Sequence, residues 1–316
     1  RRLFRHPAAQ EALTKDALAC GDLIAYRRYA YARFAADEGD WRAAADVLEQ
    51  ALERAPGWAP ALFALGEARE KLGNRDGAAE AFRATLAADP GDAQGAAARL
   101  ALFGAAEAPT ALPKAYVARL FDDYAPRFNA HLTEALAYRG PTLIVEALDG
   151  VDRAHRFPRG LDLGCGTGLM GAALRARIDE LVGVDLSPAM IAKARQTGYY
   201  DALEVDHVVD CLAKRARGEL DLVVAADVLA YLGDLAQLFS SAARALAPGG
   251  LFAFTVESYA GETYRLGATM RFTHSRDYVL ATAAAAGLYP LVLVDSWARR
   301  EAGREVPGLV GVFAGG

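Results

Sequence analysis

A run of glycines between two acidic residues carries the chemistry that this chain states most openly. Leu161-Asp-Leu-Gly-Cys-Gly-Thr-Gly168 is followed by Leu181-Val-Gly-Val-Asp-Leu-Ser187. Gly164, Gly166 and Gly168 let the backbone turn sharply after a buried strand and approach a ligand with no Cβ in the way, ahead of a helix N-terminus. Asp185 ends the next apolar run, where a carboxylate can accept both hydroxyls of a ribose. Together they predict a site for a nucleotide-type cofactor. Gly166, Gly168 and Gly171 also match a dinucleotide pattern, so the glycines alone leave the cofactor open.

The elements that must position these residues follow from the apolar runs at Leu161, Leu181 to Val184, Leu203 to Val209, Leu220 to Ala225, Leu251 to Val256, Leu288 to Val294 and Leu309 to Phe313. Seven short runs separated by helical stretches predict a parallel sheet covered on both faces, an α/β doubly wound architecture. A helix over about 114–138 precedes the first run. Pro109 and Pro113 mark residues 105–115 as a linker, so this α/β domain is expected over 116–316.

Residues 1–104 follow other rules. Gly39-Asp40-Trp41 recurs as Gly73-Asn74-Arg75, Ala45 as Ala79, Leu52 as Leu86 and Pro56-Gly57 as Pro90-Gly91, an offset of 34 residues that marks paired-helix repeats. The glycines stop one helix before the next, the alanines permit close approach, and the prolines end the second helices. This all-α segment resembles tetratricopeptide repeats, and helices near 8–20 and 92–103 are expected to cover its ends. Such an array can bind a protein partner in its groove or serve as a spacer.

Composition narrows the classes. A net charge of −5 gives no general nucleic-acid footprint, and 53% apolar with 24% charged residues describes a globular protein. Cys20, Cys165 and Cys211 have no paired spacing, so neither a disulfide framework nor a metal site is expected. No stretch reaches the length of a membrane span, and no export signal stands at the start, which points to the cytoplasm.

Two features separate the cofactor candidates. Asp162 lies inside the first strand, where a dinucleotide site wants an apolar residue, and Pro248-Gly249-Gly250 precedes the Leu251 run. In this order, Asp-Leu-Gly-Cys-Gly-Thr-Gly, Val-Asp-Leu-Ser-Pro and Pro-Gly-Gly make residues 116–316 resemble the class I S-adenosylmethionine-dependent methyltransferases, and with the repeats the chain is similar to repeat-containing members of that group. The resemblance implies S-adenosylmethionine as cofactor, S-adenosylhomocysteine as product and a seven-stranded Rossmann-like methyltransferase sheet. It implies that Asp162, Gly164, Cys165 and Gly166 border the methionine portion and that Asp185 holds the ribose. Leu186 and Met190 would pack on the adenine, and Asp210, Cys211 and Leu212 would read its edge, with Asp206 a rival. Asp227 would stand beside the methyl, and Phe121-Asp-Asp-Tyr-Ala-Pro-Arg-Phe128 would fold over the cofactor through Tyr116, Tyr124 and Arg127. The Asn/Asp-Pro-Pro-aromatic motif of nucleobase-methylating members is absent, which argues against a nucleic-acid substrate.

For the acceptor, the candidates are His274 as base, Glu257 at the end of the fifth strand and Tyr231 beside the sulfonium, with Arg271 available to read an anion. Plainer readings stand beside them: Asp210 as a helix cap, Tyr231 as a core residue, His274 and Ser275 as the closure of a turn and cap of the helix that follows. The activity expected is methyl transfer to O or N of a small molecule or protein. Its rivals are a non-catalytic assembly factor on this fold and a nicotinamide-dependent oxidoreductase.

Overall fold

The computed structural model describes residues 20–316 apart from residue 135, in two compact units divided between Ala108 and Pro109. The helix expected near 8–20 falls on residues outside those described.

In the first unit, α1 (Leu23–Asp37) pairs with α2 (Trp41–Leu52), and α3 (Ala59–Lys71) with α4 (Arg75–Ala88). The 34-residue echo is visible in how the second helix of each pair begins. Gly39 and Gly73 take left-handed φ of 82° and 78°, and Asp40 and Asn74 then cap α2 and α4 by accepting from the N–H three residues on. Ala45 and Ala79 are both buried. Gly66 of α3 leaves room for the Phe82 ring, which a Cβ would meet at 2.5 Å. The closing helix α5 (Ala96–Leu102) is shorter than expected, because Asp92 accepts from Ala96 and Ala97 N–H and starts it late.

The second unit is one sheet with helices on both faces. Its strands are β1 (Phe157–Leu163), β2 (Ile178–Asp185), β3 (Ala202–Val205), β4 (Leu220–Ala225), β5 (Leu246–Glu257), then, after a small separate hairpin of β6 (Tyr264–Leu266) and β7 (Phe272–His274), β8 (Leu288–Glu301) and β9 (Arg304–Gly315). The order across the sheet is β3-β2-β1-β4-β5-β9-β8. β1 to β5 are parallel; β9 runs antiparallel to both neighbours, so the all-parallel expectation fails at one strand. The reason is the tight Ala302-Gly303 turn, with φ of 48° and 77°, which folds β9 straight back on β8. Phe252 and Phe254 of β5 pack with Phe239 and Phe313 in the fully buried core.

Two expectations about elements are corrected. The run Leu203 to Val209 is not one strand: β3 stops at Val205, and Val208, Val209, Cys211 and Leu212 are the buried stripe of α11 (Val208–Lys214), a helical spacing misread as a strand. The helix over 114–138 is broken. It runs as α6 (Lys114–Tyr124), a 3-10 turn at Ala125–Arg127 holding Pro126, and α7 (Phe128–Glu134), followed by α8 (Gly140–Asp152).

Candidate active site

The order β2-β1-β4 places a crevice at the strands' carboxyl ends where the winding reverses, the usual ligand position in such sheets. A cavity of about 230 Å³ lies there. Residues 110–139 close it as a cap fastened at both ends. Thr110 C=O accepts from Gly233 and Asp234 N–H, and Leu112 N–H donates to Tyr231 C=O. At the far end Arg139 N–H donates to Ala298 C=O and Arg300 N–H to Leu136 C=O, each at 2.7 Å. In between, Asp122 accepts from Ser187 Oγ at 2.5 Å and from Ala189 N–H, while Thr167 Oγ1 donates to Asn129. Asp122 drew no attention in the sequence beyond its aromatic neighbours; an acid two turns into an amphipathic helix gives no local sign of a partner 65 residues away.

On the β1 and β2 side the wall holds Gly164, Cys165, Gly166, Asp185 and Leu186. Gly164 has φ 66°, and a Cβ there would meet Val228 Cγ2 at 2.4 Å, so the turn and the β4 end touch only because it is glycine. Asp185 Oδ2 accepts from Gly166 N–H at 2.9 Å and Oδ1 from Ser187 N–H at 2.8 Å. Burial lifts its carboxyl to about 6, against the pull of those N–H groups. Ser187 in turn caps α10 (Pro188–Thr197) through Met190 N–H, which accounts for the Asp-Leu-Ser-Pro order.

Asp162 stands just behind this wall. Tyr200 Oη donates to its Oδ2 at 2.7 Å, its Oδ1 is buried without a partner, and burial raises its carboxyl to about 7. Gly171, the third glycine of the dinucleotide-like pattern, is spoken for here: it donates to Tyr200 Oη, and a Cβ on it would meet that ring at 2.6 Å. The pattern therefore reflects tyrosine packing and lends the nicotinamide alternative no support.

The adenine-edge expectation moves. Asp210 sits on the exposed first turn of α11, bound to Lys114, and Cys211 and Leu212 are in the core; none reaches the wall. His207, just before α11, and Val208, its first residue, do. Burial holds the His207 imidazole below its ordinary range. Met190 is fully buried and off the wall, whereas Leu186 is on it. Of the cap residues, Tyr124 reaches the wall and Tyr116 and Arg127 do not.

On the β4 and β5 side, Asp227, Tyr231, Arg271, Arg299 and Glu301 line the cavity. Arg271 donates to Asp227 through Nη2, to Tyr231 Oη through Nη1 at 2.6 Å and to Glu257 through Nε. Arg299 donates to the same Glu257 oxygen at 2.9 Å and to Glu301 at 3.3 Å. Glu257 thus lies behind the wall as the shared counter-charge. His274 is a correction: its ring is fully buried on β7, with Nε2 facing the carbonyls of Leu232 and Gly233, and burial drops its pKa to about 4. It does not face the cavity. Ser275 caps α13 (Arg276–Ala285), as the plainer reading had it.

Known proteins agree with this architecture. Residues 161–252 match a family model described as methyltransferase domain, and residues 35–102 one described as tetratricopeptide repeat. The chain is 30% identical over 115 residues to a ubiquinone biosynthesis O-methyltransferase of Hahella chejuensis, covering 34% of this chain and 48% of that protein. It is 27% identical over 165 residues to the protein of that name in Pseudomonas aeruginosa, covering 48% and 66%. It therefore spans roughly half the length of these curated relatives. Among solved structures, the [4+2]-cyclase SpnF superposes with TM-score 0.53 at 18% identity, covering 66% of this chain and 97% of that one. A Haloferax volcanii methyltransferase solved with its Trm112 activator gives 0.50 at 20%, covering 63% and 96%. A cyclase among the fold's neighbours shows that the fold alone does not choose the reaction.

Proposed function

We infer that this chain, whose residues 35–102 match a tetratricopeptide repeat model and residues 161–252 a methyltransferase domain model, is an enzyme that moves a methyl group from S-adenosylmethionine to an oxygen or nitrogen of an acceptor. The observation that carries this reading is one cavity with two unlike ends, a glycine turn with Asp185 on one side and the Asp227, Tyr231 and Arg271 cluster on the other.

The residues present fit the cofactor. Asp185 keeps lone pairs free for two ribose hydroxyls after accepting two backbone N–H groups, and Leu186, His207 and Val208 offer a surface for a flat base. Gly164, Cys165 and Gly166 on the wall suit the methionine tail, with Asp162 behind them held by Tyr200. When bound, the cofactor supplies an electrophilic methyl on a sulfonium. The chain's part is alignment and exclusion of water: Val117, Phe121, Phe128 and Leu136 of the cap give the cavity an apolar roof.

The names of the relatives favour oxygen of a small organic acceptor, and the apolar roof suits one. Recruitment of a protein partner falls to the repeats, whose stacked pairs form the kind of groove that holds a peptide. Among the described residues no helix is long and apolar enough to cross a membrane. The test is mass spectrometry of metabolites and proteins from cells with the wild-type chain and with Asp185→Ala. A species heavier by one methyl only with the wild type supports methyl transfer; a phenotype restored equally by both, with no such species, supports the assembly-factor alternative.

A further inference from the structure

Every nitrogen of the two buried guanidiniums on the β4 and β5 side already donates to a protein oxygen. Arg271 spends Nε on Glu257, Nη1 on Tyr231 and Nη2 on Asp227; Arg299 spends Nε and Nη2 on Glu257 and Nη1 on Glu301. Three carboxylates against two arginines leave the cluster one negative charge in excess. Toward the cavity it offers acceptor oxygen: Asp227 gives Oδ1 to Arg271, and among the described residues no donor bonds its Oδ2. An anion would meet guanidiniums that Asp227, Glu257 and Glu301 already outnumber, so the reading of Arg271 as an anion receptor is set aside. A group with a proton to give, or a cation, is what this end accepts.

Asp227 is also held in place at some cost. It has φ 61°, sparsely populated for a residue with a side chain, and its N–H is fixed to Thr255 Oγ1 at 2.9 Å. Such strain, next to a cavity and fastened by a neighbouring strand, suits a carboxylate that has to point one way. Since β4 borders β1 on the side opposite β2, a ligand spanning the glycine turn and Asp185 extends its far end toward Asp227.

We propose that Asp227 is the catalytic residue that takes the proton of the methyl acceptor, and that the acceptor is an alcohol, phenol or amine, not a carboxylic acid. The proposal rests on the methyltransferase reading above. The acceptor's O–H or N–H bond breaks and its proton goes to Asp227 Oδ2. The oxygen or nitrogen electron pair forms the bond to the methyl carbon, and the pair of the broken carbon–sulfur bond stays on sulfur.

Sinefungin, which carries an ammonium where the sulfonium would be, tests the position of Asp227 without any acceptor. Calorimetric titration of the full chain should show sinefungin binding at least about tenfold tighter than S-adenosylhomocysteine, and Asp227→Asn should erase that preference while changing S-adenosylhomocysteine affinity less than about threefold. A preference that survives in Asp227→Asn overturns the proposal. So does a wild-type ratio near one, which needs no variant and stands even if Asp227→Asn does not fold. Failure of S-adenosylhomocysteine to bind the wild type would instead sink the cofactor reading, so the two failures are told apart.

Discussion

Asp185 and Asp227 both stand at carboxyl ends of sheet strands and face one cavity, yet they are fixed by different means. Asp185 is wired to backbone: Gly166 and Ser187 N–H hold its two oxygens, and Ser187 sits at the start of the helix that follows. Asp227 is wired to side chains, through an Arg271 that also binds Tyr231 and Glu257, with Arg299 on the far side of that glutamate. A backbone-wired acid tolerates loss of its neighbours' side chains, because the N–H groups stay. A side-chain-wired acid depends on a charged partner that one substitution removes.

That contrast predicts where substitutions hurt. The largest effect is expected from Arg271→Met, which takes the guanidinium from Asp227 and leaves Glu257 and Glu301 to share Arg299, and should cost about 3 to 5 kcal/mol in urea unfolding. S-adenosylhomocysteine affinity should fall less than about tenfold, since the Asp185 side is untouched; an equal loss at both ends would erase the distinction.

Next comes Asp162, whose folded pKa of about 7 lies above the ordinary carboxylate value. A raised acid stabilises the fold fully at low pH and loses that contribution as pH rises through the folded value. Asp162→Asn keeps the shape and removes the titration. Its stability should therefore gain on wild type by on the order of 4 kcal/mol between about pH 4 and about pH 8. A constant difference across that range would show that Asp162 is not buried as a charge. Asp185, raised to about 6, should add the same sign more weakly over the lower part of the range.

The smallest effect belongs to Ser187→Ala. Losing the cap on Met190 N–H and the bond to Asp122 should cost about 1 kcal/mol in thermal unfolding. Affinity for S-adenosylhomocysteine should drop only about threefold, because Ser187 N–H still holds Asp185.

The same contrast explains what could be read from the sequence. Gly164 to Gly168, Asp185 and Ser187-Pro188 were legible because backbone-wired sites are built from neighbours: a turn, a strand end and a helix cap leave a local pattern. The repeat spacing was legible for a like reason, since Gly39-Asp40 and Gly73-Asn74 make the same stop and start twice. The Asp227 cluster was not assembled in advance. Its members at 227 and 231, 257, 271 and 299 come from four separate stretches, and nothing local says that Arg271 faces Asp227 while His274, three residues on, points into the core. The misplaced adenine edge has another cause. Val208 and Val209 extend an apolar run that looks like strand, and only the burial of Cys211 and Leu212 beside them reveals a helix. Asp162 stands out in the sequence as an acid inside a strand, but no spacing names its partner Tyr200.

The central claim is that Asp185 and the glycine turn hold an adenosyl amino acid, and calorimetric titration of the full chain with S-adenosylhomocysteine and with NAD tests it most directly. S-adenosylhomocysteine should bind, NAD should not, and Asp185→Ala should weaken S-adenosylhomocysteine about 100-fold. NAD binding in place of S-adenosylhomocysteine, or an Asp185→Ala variant that binds as tightly as wild type, would contradict it.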